Sequence, residues 1–319
     1  MNRKKASKPL FSYFTTPFGR KLTFIAAGTT TVGLFIGNFI PHTFFLDKYQ
    51  EFVQCYKDGI PRPVPPEIKE RLERAMNILN VPAYERRVLK PFTVYGFDMF
   101  SAGSTKSKYG GIIGIPTNYS YTSIDNIDRS EIRFRTEQIK WGSESGQMLQ
   151  EALVLKEDEQ IFGMCKTILE MQTQRVLLNS AFPSISFLAV YSVGSYLNQR
   201  MNLLAKPISL RLVMYAILGL FGVGSWSFMK DYNQVLYETS IDKQISTLGP
   251  DFVDAGRRFY DKLLKKNMAL RALIGDDTYT SKGNENFYLR QKTLPLTIHK
   301  AFFEEEWNKL KGENQEAAQ

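Results

Sequence analysis

The sequence predicts an α+β membrane protein, in which three transmembrane helices anchor a mainly helical soluble domain with a small antiparallel sheet. Three uncharged stretches of membrane-spanning length indicate the transmembrane helices. Apolar residues at helical spacing dominate the rest of the chain, and one aromatic, β-branched and glycine-rich stretch indicates the sheet. With 319 residues, of which 43% are hydrophobic and 23% charged, the chain is long enough for a substantial core and is not disordered.

The three uncharged stretches cover residues 22–40, 180–197 and 212–229. Each is close to the ~20 residues that a helix needs to cross the hydrocarbon core of a bilayer. The overall mean hydropathy of −0.25 hides them, because it averages over long polar segments. Buried core helices are the alternative interpretation, since Asn38 and Pro183 interrupt the apolar character. Length and flanking charges together favour three spans.

The whole net charge of +9 lies in two short segments. The basic leader, residues 1–21, has six basic side chains, the loop 198–211 has three, and neither contains an acid. The soluble segments 41–179 and 230–319 carry equal numbers of basic and acidic residues. With three spans, leader and loop share one side of the membrane and both soluble segments share the other, in agreement with the positive-inside rule. We therefore expect the soluble segments to co-fold into one domain.

The leader indicates the compartment. It interleaves Arg and Lys with Ser, Thr and Phe, and the first acidic residue of the chain is Asp47. This composition is typical of a mitochondrial presequence or a matrix-facing leader. An endoplasmic-reticulum signal anchor also combines a basic flank with an apolar run, so that alternative stays open.

In the soluble segments, periodic apolar residues predict helices and one stretch predicts strands. Residues 59–66 form a proline-rich stop, an extended stretch that interrupts helical structure, and a helix begins near Pro66. Residues 92–97 and 110–116 have the composition of an antiparallel sheet or hairpin, and the glycines between them indicate turns rather than a phosphate-binding loop. Residues 145–179 predict one long helix, and further helices are expected over 235–248 and 252–264.

The cysteines and histidines exclude much catalytic chemistry. Cys55 and Cys165 form no C-x-x-C pair, so one disulfide in an oxidising compartment and unpaired burial are the alternatives. His42 and His299, the only histidines, lie in unrelated contexts, and His299 is expected at the surface or at a helix cap. The sequence therefore predicts no catalytic residue, metal ion, cofactor or small-molecule substrate, and no basic patch points to a nucleic acid.

Two pairs of residues resemble a protease pattern. Lys166 and Glu170 lie four apart before the second span, and Glu238 and Asp242 have the same spacing after the third. HtpX-type membrane zinc proteases carry H-E-x-x-H and E-x-x-x-D motifs on helices that flank a membrane hairpin. Here a lysine, which would repel zinc, occupies the first ligand position. The pattern suggests a degenerate HtpX-type metallopeptidase-like scaffold, whereas the alternative for Glu238 and Asp242 is a solvated helix face.

The first span contains a candidate helix-packing face. Thr29, Gly33 and Gly37 recur at every fourth position, and small residues at this spacing allow close approach of a second helix. That helix is either the span of a partner or another span of this chain.

Six short stretches have a distinctive sequence: Phe92 to Phe97, Ser101-Ala102-Gly103, Gly111 to Pro116, Phe259 to Leu264, Asn267 to Arg271 and Leu294-Pro295. Together they resemble the transmembrane protein 177 family, and the resemblance covers most of the chain.

The resemblance implies a multi-pass protein of the mitochondrial inner membrane, with its N-terminus in the matrix and its C-terminus in the intermembrane space. It also implies a non-enzymatic role in the maturation of cytochrome c oxidase subunit II, with that subunit and its assembly chaperone as partners. The spans would contact the lipid bilayer, and the soluble domain would meet the assembly partners.

The charge distribution gives a testable topology. Protease added to mitoplasts with an intact inner membrane is expected to cleave the chain around Tyr95 and Phe259, because both soluble segments face the intermembrane space in this layout. The fragments can be mapped by mass spectrometry, with a matrix protein as the control for membrane integrity. Protection of both regions until the inner membrane is opened would contradict the layout.

Overall fold

The computed structural model describes residues 16–130, 132, 139–275 and 277–317, so residues 1–15 of the basic leader lie outside the described residues. The helices are α1 (Pro17–Phe39), α2 (Leu46–Val53), α3 (Pro66–Ile78), α4 (Ala83–Val88), α5 (Glu144–Leu153), α6 (Glu157–Met171), α7 (Arg175–Arg200), α8 (Ile208–Ser246), α9 (Pro250–Ile274) and α10 (Leu296–Ala317). The strands are β1 (Tyr56–Lys57), β2 (Ile60–Pro61), β3 (Leu89–Val94), β4 (Phe100–Gly103) and β5 (Gly111–Pro116).

The chain divides into two compact units. The membrane unit comprises Met1–Ile40 and Val176–Lys230, and the soluble unit comprises Pro41–Arg175 and Asp231–Gln319. The soluble unit thus combines two chain segments that the second and third spans separate in sequence.

The predicted α+β membrane fold with three spans is confirmed. Among the described residues, three apolar helices are long enough to cross a membrane: Pro17–His42, Arg175–Arg200 and Ile208–Ser246. Serine hydroxyls join them, since Ser184 Oγ donates to the carbonyl of Thr31 at 2.7 Å and Ser186 Oγ donates to the carbonyl of Gly222 at 2.6 Å. Such bonds satisfy hydroxyl groups that lipid could not.

The core of the soluble unit is centred on packed aromatic rings. Phe162 of α6 contacts Tyr260 of α9 and Phe303 of α10 in edge-on geometry, with ring centroids 5.8 and 5.2 Å apart. All three side chains are fully buried. The apolar faces of α6, α9 and α10 therefore meet at these rings, and α3 also packs against α6.

The predicted sheet exists, but its topology differs from the prediction. In the three-stranded sheet, β5 lies between β3 and β4, and it pairs with β3 in parallel and with β4 in antiparallel fashion. The antiparallel prediction was therefore wrong for the β3–β5 pair. All six residues of β5 are buried, as is typical of a central strand. A separate antiparallel pair, β1 and β2, is formed by residues around the proline-rich stop.

The single helix predicted over residues 145–179 is also wrong, because the structure divides it into α5, α6 and the start of α7. Lys156 has extended backbone angles, and its N–H donates to Glu159 Oε2 at 2.8 Å. Three consecutive acidic residues in the first turn of α6 further favour a new helix start here. Apolar periodicity continues through the break, so the pattern alone could not locate it.

Gly256 in α9 tests the aromatic core. A Cβ at this position would lie 2.7 Å from a ring carbon of Phe162 and 2.8 Å from one of Phe303. Although Gly→Ala normally favours a helix interior, we expect Gly256→Ala to lower the free energy of unfolding by about 1–3 kcal/mol through overpacking. Gly312→Ala in α10, where a Cβ meets open space, is the matched control and should be neutral or slightly stabilising.

Thermal unfolding of the detergent-solubilised full chain measures both variants. Equal melting temperatures for Gly256→Ala and Gly312→Ala would show that the three rings are not tightly packed around α9.

Candidate functional site

Helix α8 places three polar residues, Gln234, Glu238 and Asp242, on one face at four-residue spacing. Glu238 is 8% exposed and Asp242 2% exposed, so the interpretation of this face as solvated is wrong. Two buried carboxylates on one helix are costly to desolvate unless each is hydrogen-bonded or paired. Their partners come from α9, α10, the segment before α10 and α8 itself.

The Asp242 carboxylate joins α8 to α9 and α10. Its Oδ1 accepts a hydrogen bond from the Tyr260 hydroxyl at 3.1 Å, and its Oδ2 is hydrogen-bonded to His299 Nδ1. The Tyr260 ring stacks on the His299 imidazole, with centroids 4.6 Å apart and planes 9° from parallel. Burial and the charge of Asp242 raise the pKa of Tyr260 well above its usual value, so this hydroxyl stays protonated and acts as a donor.

His299 is a central member of this cluster, and the prediction of a surface or capping histidine is wrong. It is 1% exposed. The missed signal lies in the spacing of Leu296, His299, Phe303 and Leu310, which follows the apolar stripe of α10. Reading this stripe would have placed His299 in the core, but it would not have identified Asp242 as the partner.

Glu238 is held by a backbone amide and a side-chain amide. Its Oε2 accepts from the Leu294 N–H at 2.6 Å, and its Oε1 accepts from Gln234 Nε2 at 2.7 Å. His299 Nε2 lies 3.8 Å from Glu238 Oε2. One imidazole thus lies between two carboxylates.

The protease-like positions of α6 lie beside those of α8. Lys166 Nζ is 5.2 Å from the centroid of the Tyr260 ring. Glu170 forms an ion pair with Arg175, and its Oε1 also lies 3.5 Å from Gln234 Nε2. The fold therefore places Lys166, Glu170, Glu238 and Asp242 in one region of the soluble unit.

A cavity of about 190 Å³ opens next to this cluster, and Lys166, Glu238 and His299 contribute to its wall. Lys266, which is 4% exposed and paired with Asp98, lines it too. Burial, followed by the nearby charge of Asp98, raises the pKa of Glu285 at the same wall. The cavity wall thus combines ammonium, carboxylate and imidazole groups.

The two carboxylates of α8 are engaged in hydrogen bonds within the soluble unit. Each carboxylate oxygen of Glu238 and Asp242 has a partner from another residue. Within the described residues, no group of three or more His, Cys, Asp and Glu side chains is arranged to hold a metal ion. The arrangement can join α10 to α8 through His299, and it can hold the segment around Leu294 in place.

The candidate helix-packing face of α1 lies open. A Cβ at Gly33 or Gly37 would meet no atom within 4 Å, and Thr29 is exposed. None of the described residues packs closely on this face, and it is available to another helix.

The two cysteines are buried in the soluble unit. Cys165 is a free thiol, and burial raises its pKa to about 12. This thiol is therefore a poor nucleophile at neutral pH.

Comparison with known proteins shows one consistent similarity. Residues 15–286 match the family model described as Transmembrane protein 177. Transmembrane protein 177 of Rattus norvegicus is 26% identical over 302 residues, which cover 91% of this chain and 96% of the relative. The proteins of the same description from Homo sapiens and Danio rerio are each 25% identical, and they cover 81% and 86% of this chain and 84% and 88% of their own. No solved structure matches the chain significantly.

Asp242 tests how much the soluble unit depends on the cluster. Asp242→Ala leaves a buried hydroxyl of Tyr260 and a buried imidazole of His299 without their acceptor, and we expect it to lower the free energy of unfolding by about 3 kcal/mol. The matched control is Asp47→Ala, which removes an exposed carboxylate 2.8 Å from Lys90 and should cost less than about 1 kcal/mol. Denaturant unfolding in detergent compares the two, and equal losses would show that the buried contacts contribute little.

Proposed function

The chain belongs to the transmembrane protein 177 family, and on this premise we propose that it is a non-enzymatic assembly factor of the mitochondrial inner membrane. In this role it stabilises newly made cytochrome c oxidase subunit II and the assembly chaperone of that subunit. The N-terminus lies in the matrix, and the soluble unit lies in the intermembrane space. The family match over most of the chain supports the membrane setting, and the resemblance described above supports the finer role.

A non-enzymatic role is supported by the hydrogen bonds that the polar cluster makes within the protein. Glu238 and Asp242 accept hydrogen bonds from Leu294, Tyr260 and His299, which belong to the framework of the soluble unit. A general base needs a lone pair that faces substrate, and a zinc ligand needs one that faces the metal. At the first protease-like position, Lys166 supplies a cation in place of a ligand.

The architecture supports the assembly role. Two neutral segments form one soluble unit, and apolar helices long enough to span a bilayer belong to the same chain. A membrane-protein partner that has a soluble domain could therefore bind both a helix surface and a soluble surface of this one protein. The exposed Thr29–Gly33–Gly37 face of α1 fits the first of these needs.

A second candidate function is that of a catalytically dead metalloprotease-like protein that regulates quality control in the inner membrane. The observation in its favour is the convergence of Lys166, Glu170, Glu238 and Asp242 near Tyr260 and Gln234. Depletion that changes the turnover of many inner-membrane proteins, with no selective effect on subunit II, would favour this function.

Depletion followed by pulse labelling of mitochondrial translation tests the proposed function. Subunit II should be synthesised at its normal rate, and the labelled subunit should then disappear faster than in control mitochondria. Re-expression of Glu238→Gln should restore its persistence as well as the native chain does, because a glutamine can still accept the hydrogen bond from Leu294 while it removes the carboxylate.

Normal persistence of new subunit II after depletion would contradict the proposal. Failure of a stably expressed Glu238→Gln variant to restore it would argue for a chemical role of the carboxylate. Zinc retained by the purified protein, or peptide cleavage lost on chelation, would overturn the non-enzymatic assignment.

A further inference from the structure

Two of the most exposed large apolar side chains among the described residues are neighbours in the segment before α10. Tyr288 is 82% exposed and Leu289 98% exposed. They form a bend in the chain between Phe287 and Arg290. We call these two residues the apolar tip. Adjacent apolar side chains that are almost fully exposed mark a surface that another medium or molecule covers.

Two contacts attach the segment beside the tip to α8. The Leu294 N–H donates to Glu238 at 2.6 Å, and the Arg290 guanidinium forms a two-pronged pair with Asp231 at 2.7 and 2.8 Å. Asp231 and Glu238 are separated by seven residues of α8, or about 10 Å along the helix axis. Followed from Leu294 back to Arg290, the segment therefore runs along α8 towards the apolar part of that helix.

The Arg290 contact lies just past the end of the uncharged stretch of α8. Asp231 follows Met229, the last residue of the uncharged stretch 212–229, by two positions, or about 3 Å of helix rise. Each interfacial layer of a bilayer is about 5–8 Å thick. If the hydrocarbon ends near Met229, a loop tip adjacent to Arg290 would lie at the depth of the lipid headgroups.

The local chemistry also fits this depth. Tyrosine is enriched at membrane interfaces because its ring is apolar and its hydroxyl is polar, and leucine is favourable deeper in the layer. Arg290, the cation next to the tip, has its charge balanced by Asp231, which lowers the cost of placing it near the hydrocarbon boundary.

From these contacts we propose that the apolar tip, Tyr288 and Leu289, inserts into the interfacial layer of the bilayer next to α8. The partner of this surface is the lipid itself. The Arg290–Asp231 pair sets the depth of the tip, and the tip anchors the segment whose Leu294 amide binds Glu238. The soluble unit thereby gains a membrane contact in addition to its covalent connections to the spans.

Lipid quenching of a fluorescent label tests the proposal in the full chain, reconstituted in phosphatidylcholine vesicles. A cysteine introduced as Leu289→Cys is labelled with an environment-sensitive dye, and the unsubstituted protein reports any labelling of the two buried native cysteines. Gln244→Cys is the matched control, because it is exposed on α8 but lies about 22 Å past Met229 along the helix axis. Both positions are exposed, so neither substitution disturbs the core.

We expect doxyl-labelled phosphatidylcholine to quench the label at position 289 several-fold more than the label at position 244, and aqueous iodide to show the reverse order. Equal iodide quenching at both positions would overturn the proposal and would leave the tip to a protein partner, since the vesicles contain none.

Arg290→Gln tests whether the ion pair sets the depth. In this background, lipid quenching of the label at position 289 should fall, while quenching at position 244 stays unchanged. A label at position 289 that is quenched by lipid as strongly as before would refute the role of the Arg290–Asp231 pair.

Discussion

The soluble unit depends on the burial of two carboxylates on α8. Glu238 and Asp242 lie on the same helix as the third apolar stretch, and neither is more than 8% exposed. Because buried acceptors without partners would be costly, other elements must meet this face with donors in fixed positions. Tyr260 brings α9, His299 brings α10 and the Leu294 amide brings the segment before α10. These hydrogen bonds fix the orientation of the elements, whereas the packing of the aromatic core is non-directional.

This constraint also explains how two distant segments make one unit. Residues 41–175 and 231–319 are separated in sequence by two spans, and the entropy of bringing them together must be offset by their contacts. The rings of Phe162 and Phe259 and the ion pairs of Arg258 with Asp158 and Glu159 join α6 to α9. The first segment alone would expose the apolar face of α6.

The residues of the protease-like pattern belong to the buried polar cluster or lie beside it. Positions that could hold a metal in an HtpX-type enzyme carry Lys166 and Glu170 here, and the ammonium group lies over the Tyr260 ring. The ammonium of Lys166 thus brings positive charge to a site that contains two buried acids. The non-enzymatic function that we propose agrees with such a site, because its polar groups bind other parts of the protein.

The sequence alone determined the membrane class, the three spans and the presence of a small sheet, since these follow from charge-free length and from local periodicity. It also singled out Lys166, Glu170, Glu238 and Asp242, through their resemblance to a protease pattern. Only the tertiary structure decided that Glu238 and Asp242 are buried, that His299 is their partner and that β3 pairs with β5 in parallel. Spacing along a helix defines a face but not what covers it, and residues 57 positions apart, such as Asp242 and His299, leave no local signal of their contact. The helix break at Lys156 depends on a capping contact that apolar periodicity does not record.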